Sequence, residues 1–132
     1  MSILALSDKP RSAQIAAVRR GFPHTALEQI AAGLGLSRSK VIDALAISPR
    51  TAAWRQRHRR SFTTSESERL FRLVRVRRLA REVFATDAAV AEWLETPDGS
   101  LGGKAPLQML ATDLEMGRLE NLLKAMIHGV PV

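Results

Sequence analysis

Apolar residues along this chain recur at helical spacing, and no stretch alternates in the manner of a strand. In Thr25-Ala26-Leu27-Glu28 a threonine stands three residues before a glutamate, the arrangement of a capping box. Leu27, Ile30, Ala31 and Leu34 then share one face of a helix that Gly33 and Gly35 are expected to stop. A second start follows at Ser37, with Val41, Ile42 and Leu45 on one side and Ile47 closing the segment. Ser48-Pro49 opens a third, since serine can accept a free helix-start N–H and proline suits the first turn. Thr63-Thr64-Ser65-Glu66 is another capping box, and the long helix after it is expected to reach about Ala85. Its Leu70, Phe71, Leu73, Val74, Val76, Leu79, Val83 and Phe84 wrap much of the cylinder, with arginines between. Such a helix is buried among neighbours or at an oligomer interface, its Arg stems reaching outward.

Thr86-Asp87 begins a short helix bearing Val90, Trp93 and Leu94, and Thr96-Pro97-Asp98-Gly99 is a turn by composition. Pro106 opens a further short helix through Leu110. Thr112-Asp113-Leu114-Glu115, a third capping box, starts the last one, which carries Met116, Leu119, Leu122, Leu123, Met126 and Ile127 and should end at Gly129. Ser12 to Arg20 has room for a short helix before Gly21-Phe22-Pro23. The fold class is therefore all-α.

Composition narrows the function. With 132 residues and 45% hydrophobic content the chain can bury a real core in one domain or two small ones. It has no cysteine, which removes disulfides and thiol nucleophiles. His24, His58 and His128 stand far apart in no ligand spacing, so no metal is expected. No apolar run approaches the roughly 20 residues that span a bilayer. Met1-Ser2-Ile3-Leu4-Ala5-Leu6 lacks a basic start and meets Asp8 at once, unlike a signal peptide. A soluble cytoplasmic protein is expected, with no membrane association.

The net charge of +7 is divided unevenly. Residues 1–81 hold seventeen Lys/Arg against five Asp/Glu, a balance of +12; residues 82–132 hold three against eight, a balance of −5. A basic half suits a polyanion and an acidic half suits a protein partner. Within the basic half, residues 37–58 have the grammar of a helix-turn-helix, two short helices joined by Ala46-Ile47-Ser48-Pro49. Ser48, Arg50, Thr51 and Arg55 would then reach bases or phosphates, and Arg55, Arg57 and Arg59 the DNA backbone. The plainer alternative is a helical pair whose arginines are merely solvated. Several of Arg69, Arg72, Arg75, Arg77, Arg78 and Arg81 are expected to pair within the chain or across subunits. Trp54 and Trp93 read as core anchors. Leu101-Gly102-Gly103-Lys104-Ala105-Pro106-Leu107 lacks the spacing of a nucleotide-binding loop and reads as a turn that lets helices pack closely. No pair of carboxylates or histidines makes a catalytic site, and His128 suits a helix end. No enzyme activity and no cofactor are expected.

Six blocks in register bear a resemblance to a known family. They are Ile47-Ser48-Pro49-Arg50-Thr51, Ser65-Glu66-Ser67-Glu68-Arg69-Leu70, Ala91-Glu92-Trp93-Leu94-Glu95-Thr96-Pro97, the Leu101–Leu107 loop, Thr112 with Gly117, and Ile127-His128-Gly129. From about residue 25 to the C-terminus the chain resembles the Xre/MbcA/ParS antitoxins. That resemblance implies a helix-turn-helix DNA-binding region over 1–62, a connecting long helix over 63–85 and a toxin-binding domain over 86–132. It further implies a RES-domain toxin as partner, acting on NAD by breakdown or by ADP-ribosylation of a protein. A homodimer that represses its own operon through operator DNA is implied as well. By the same resemblance Gly102, Gly103, Pro106 and Leu107 shape the toxin-binding domain. Met126, Ile127, His128, Gly129, Val130, Pro131 and Val132 approach the toxin's active site, with acidic residues steering association. The competing expectations are a stand-alone dimeric helix-turn-helix regulator and a basic RNA- or ribosome-associated protein.

Overall fold

The computed structural model of the chain describes residues 2–129. Seven α-helices run in order among them: α1 (Arg11–Arg20), α2 (Ala26–Leu34), α3 (Arg38–Ala44), α4 (Pro49–His58), α5 (Thr64–Ala80), α6 (Asp87–Glu95) and α7 (Asp113–His128). Short 3-10 helices cover Ile3–Asp8, Gly99–Leu101 and Pro106–Met109, and the described residues contain no strand.

α5 is the axis of the molecule. Leu70, Leu73, Val74, Val76 and Ala80 have no exposed surface, because α1, α2, α6, α7 and the N-terminal turn all pack on this one helix. Phe71 meets Phe22 edge to face at 6.2 Å. The segment between α1 and α2 is locked to α5 by a buried hydrogen bond from the Phe22 N–H to Ser67 Oγ at 2.8 Å. The Phe62 N–H in turn donates to the Phe22 carbonyl at 2.8 Å. Gly21 sits at φ +90° with the Phe62 carbonyl oxygen 2.3 Å from where a Cβ would stand, so only glycine permits this approach.

Most predicted caps form. Ser37 accepts from the Lys40 N–H, Ser48 from Thr51 and Thr86 from Ala89. Thr63 and Glu66 make a full reciprocal box at 2.8 and 3.1 Å. Three expectations change. Thr25 already has helical backbone angles (φ −76°, ψ −12°) and caps nothing; the Ala26 N–H donates to Pro23 O, and Glu28 pairs with Arg38 at 3.1 Å. Gly33 does not stop α2 but lies inside it, its bare backbone filled by the Leu4 side chain; Gly35, left-handed at φ +68°, ends the helix. Glu115 turns its carboxylate to the Thr112 hydroxyl and Lys104 rather than to a backbone N–H, completing only half of that box.

α5 also stops at Ala80, five residues short of the expected end. The chain turns there so that Phe84 can pack on Trp93, ring centres 5.6 Å apart, while Asp87 at the start of α6 comes back against α5. Arg77 grips Asp87 with two hydrogen bonds, 2.9 and 3.1 Å, and Arg81 adds a contact at 3.3 Å. The Arg77 hydrogen bonds hold the Asp87 carboxyl below its ordinary range, outweighing desolvation, with Arg81 assisting.

A carboxyl with a depressed native pKa stabilises the fold above its unfolded value of about 3.9 and loses that contribution as pH falls through the native value. Asp87→Asn is therefore expected to lower stability by about 1–2 kcal/mol at pH 7, allowing for partial exposure. Urea titrations of both proteins should show a constant gap down to about pH 5 and a shrinking one below about pH 4.

Candidate functional site

The helix-turn-helix is built from inside outward. Val41, Leu45, Ile47 and Ala52 are buried and fix α4 against α3. The turn runs through Ala46 in the left-handed region (φ +55°), with the Ile47 N–H donating to Ile42 O at 2.9 Å. Arg69 reaches up from α5 and donates to the Ala46 carbonyl at 2.8 Å, so the turn is tied to the central helix. Arg38 donates to the Ala52 carbonyl at 3.2 Å, joining the two helices of the motif.

The outer surface of α4 is what this scaffold presents. Arg50, Ala53, Trp54 and Arg57 fall at helical spacing on one exposed face, with Ser48 exposed at the N-cap and Thr51 half-buried beside it. Arg59, at φ +52° just beyond the helix, is exposed as well. Arg50, Arg57, Arg59 and Arg60 have no carboxylate within ion-pair distance among the described residues. Arg55 departs from expectation. It points inward, pairing with the buried Glu66 of the α5 capping box at 3.3 Å, and is a structural cation rather than a phosphate contact. Trp54 departs too: it is 40% exposed, stacked on His58 at 4.7 Å, and anchors no core. His58 Nδ1 donates to the Trp54 carbonyl at 3.0 Å, and the residue is exposed. The residue types missed were those whose helical phase places them outward; counting from the buried Ala52 separates Arg55 from Trp54.

The C-terminal half presents different chemistry. Gly102 and Gly103 are exposed at φ +67° and +83° in a loop closed by hydrogen bonds between Asp98 and residues 103–104. Pro106 and Leu107 are buried and shape this region without being available for contact. Met126 and Ile127 are half-buried, His128 and Gly129 exposed, and the expected contacts at Val130, Pro131 and Val132 lie outside the described residues. Leu114, at 87% exposure in the first turn of α7, is out of phase with the buried Met116, Leu119 and Leu123. An apolar side chain so placed is suited to contact with another molecule.

Acidic charge does not dominate this half in space. Asp87, Glu95, Asp113 and Glu120 are paired with Arg77, Lys40, Arg72 and Arg75 of the basic half, and Glu115 with Lys104. Arg72 also donates to the Leu110 and Ala111 carbonyls, both at 3.1 Å, fastening the entry to α7. The uneven charge along the sequence thus serves largely to join the two halves.

Residues 13–75 match the antitoxin Xre-like helix-turn-helix domain and residues 79–129 the antitoxin Xre/MbcA/ParS C-terminal toxin-binding domain. The chain is similar to "Antitoxin Xre" of Yersinia enterocolitica serotype O:8 / biotype 1B, 33% identical over 116 residues that cover 86% of this chain and 77% of that protein. It is also similar to "Antitoxin Xre" of Photorhabdus laumondii, 30% identical over 118 residues covering 87% and 78% respectively. The first matched segment ends and the second begins within α5, with residues 76–78 between them.

Arg55→Ala leaves Glu66 buried and is expected to cost about 2–3 kcal/mol in urea unfolding, whereas the exposed Arg57→Ala should change stability by less than about 0.5 kcal/mol.

Proposed function

The chain belongs to the Xre/MbcA/ParS family of antitoxins, and from that premise we propose that it neutralises a RES-domain toxin acting on NAD and represses its own operon as a homodimer. It acts by binding rather than catalysis, in the cytoplasm; no described helix is long and apolar enough to cross a membrane. The observation that carries this reading is the pairing of two matched domains with two separate free surfaces, the outer face of α4 and the outer end of α7.

On the DNA side, α4 enters the major groove with its N-terminal end leading. Arg50 offers paired donors to guanine or a phosphate, and Arg57 follows two turns along the same face. Ala53 and Trp54 between them provide apolar surface for a thymine methyl. Ser48 and the N–H groups at the start of the helix suit a backbone phosphate, and Arg59 a second one. On the toxin side, Met126, Ile127, His128 and Gly129 at the end of α7 meet the NAD cleft, with Val130, Pro131 and Val132 as further contact residues. Steric occupation is sufficient, and no group there has to transfer a proton. Leu114 at the other end of α7 widens the contact.

Two measurements separate the surfaces. Deleting Val130–Val132, or replacing His128 with Glu, should abolish relief of growth arrest when the protein is co-expressed with the toxin encoded beside it, while operator binding is unchanged. Arg50→Ala and Arg57→Ala should each weaken operator binding by about 1–3 kcal/mol, and a lost phosphate contact should lower the salt slope by about one; toxin relief should be unaffected. A protein that binds its operator yet has no effect on the neighbouring gene product would be a stand-alone regulator instead.

A further inference from the structure

α1 and α7 both lie on α5 and leave a trough of about 740 Å³ between them. Its floor runs along α5 from Glu68 to Leu79, a rise of about 16 Å at 1.5 Å per residue. That is three turns long, a slot suited to one more helix laid against the central one.

The chemistry of the slot is specific. Ile15, 46% exposed, stands on the α1 wall above Val18, Phe71 and Leu79 and supplies an apolar centre. Arg11 and Arg19 flank it on α1 and Lys124 faces them from α7. Those three cations have no carboxylate within ion-pair distance among the described residues, whereas Arg72, Arg75 and Arg78 on α5 are paired with Asp113, Glu120 and Asp8. Glu68 is the one lining acid outside an ion pair among the described residues. Six basic residues against three acidic ones line the slot, a surplus of positive charge around an apolar strip.

We propose that this slot receives an acidic amphipathic helix of the toxin partner, its apolar stripe on Ile15, Phe71 and Leu79 and its carboxylates on Arg11, Arg19 and Lys124. The proposal rests on the toxin reading above and adds the chemistry of the contact. A second copy docked slot to slot would bring the same three cations together across a two-fold axis and be repelled. A nucleic acid would leave the apolar strip against phosphates, and none of the lining comes from α3 or α4. One wall, α7, belongs to the segment that matches the toxin-binding domain, and the other, from Gln14 to Arg19, to the segment that matches the helix-turn-helix. A toxin helix seated here therefore touches both halves of the chain. Its charge is the opposite of what the acidic C-terminal sequence suggests, because five of the eight acids there are already paired within the molecule.

The test uses the full-length protein with the toxin encoded beside it. Amide hydrogen exchange is expected to slow over α1, residues 11–20, on complex formation. Arg11→Glu with Arg19→Glu, and separately Ile15→Ser, should each weaken toxin affinity about tenfold or more, the first with a loss of salt sensitivity. Arg57→Glu, on the far surface, should leave it unchanged. Circular dichroism and urea titration show whether each variant is folded; the Ile15→Ser arm carries the test if charge reversal disturbs α1. A complex in which α1 exchanges as in the free protein, or the variants bind within twofold of the parent, overturns the slot proposal and leaves the toxin reading standing. Absence of any complex with the parent protein overturns both. Protection of α1 by operator DNA, or by raising protein concentration without toxin, would assign the slot to nucleic acid or to a second copy and equally overturn the proposal.

Discussion

Apolar side chains on almost every side of α5 are the constraint from which the rest follows. A helix of that kind cannot rest on a surface with one face in water, and it becomes stable only when other elements surround it. Four helices and the N-terminal turn do so here, and the polar residues left between the apolar ones are arginines, whose long stems reach past the packed layer. Each arginine from Arg69 to Arg78 then finishes on a different neighbour: a turn carbonyl at Ala46, the chain before α7, Glu120, Asp87, Asp8. Hydrophobic burial draws the helices in, and these end-on contacts fix where along α5 each one sits.

Much of this was readable in advance where the deciding interaction is local. Ser37, Ser48, Thr63 and Thr86 cap as their spacing implies, because a hydroxyl and an N–H two or three residues apart need no help from elsewhere. Reading failed where a distant residue decides. Glu28 is claimed by Arg38, Gly33 is occupied by Leu4, and α5 ends where Asp87 returns to Arg77 rather than at a glycine or proline. The same distinction runs through the candidate surfaces. Arg50, Arg57 and Arg59 lie where spacing puts them, while Arg55 is drawn inward by Glu66 and Trp54 is left outside. Pro106 and Leu107, expected to shape the domain, are buried in a 3-10 turn that opens at Pro106.

Charge shows the same difference between order in sequence and order in space. A count along the chain divides it into a cationic front and an anionic rear. In the folded molecule the two interlock, and the cations left over include those on and just after α4 and those beside the trough between α1 and α7. Net charge per segment is thus a sound guide to what the segments do to each other, and a poorer one to what they offer outside.

The hydrogen bond from Arg69 to the Ala46 carbonyl has a mechanical consequence. It moors the elbow of the motif to the longest of the described helices, so changing the angle of α4 means either breaking that bond or dragging α5 along. A duplex laid against α4 would thus meet a reader of fixed tilt, and any misfit would be taken up by deforming the duplex rather than the protein.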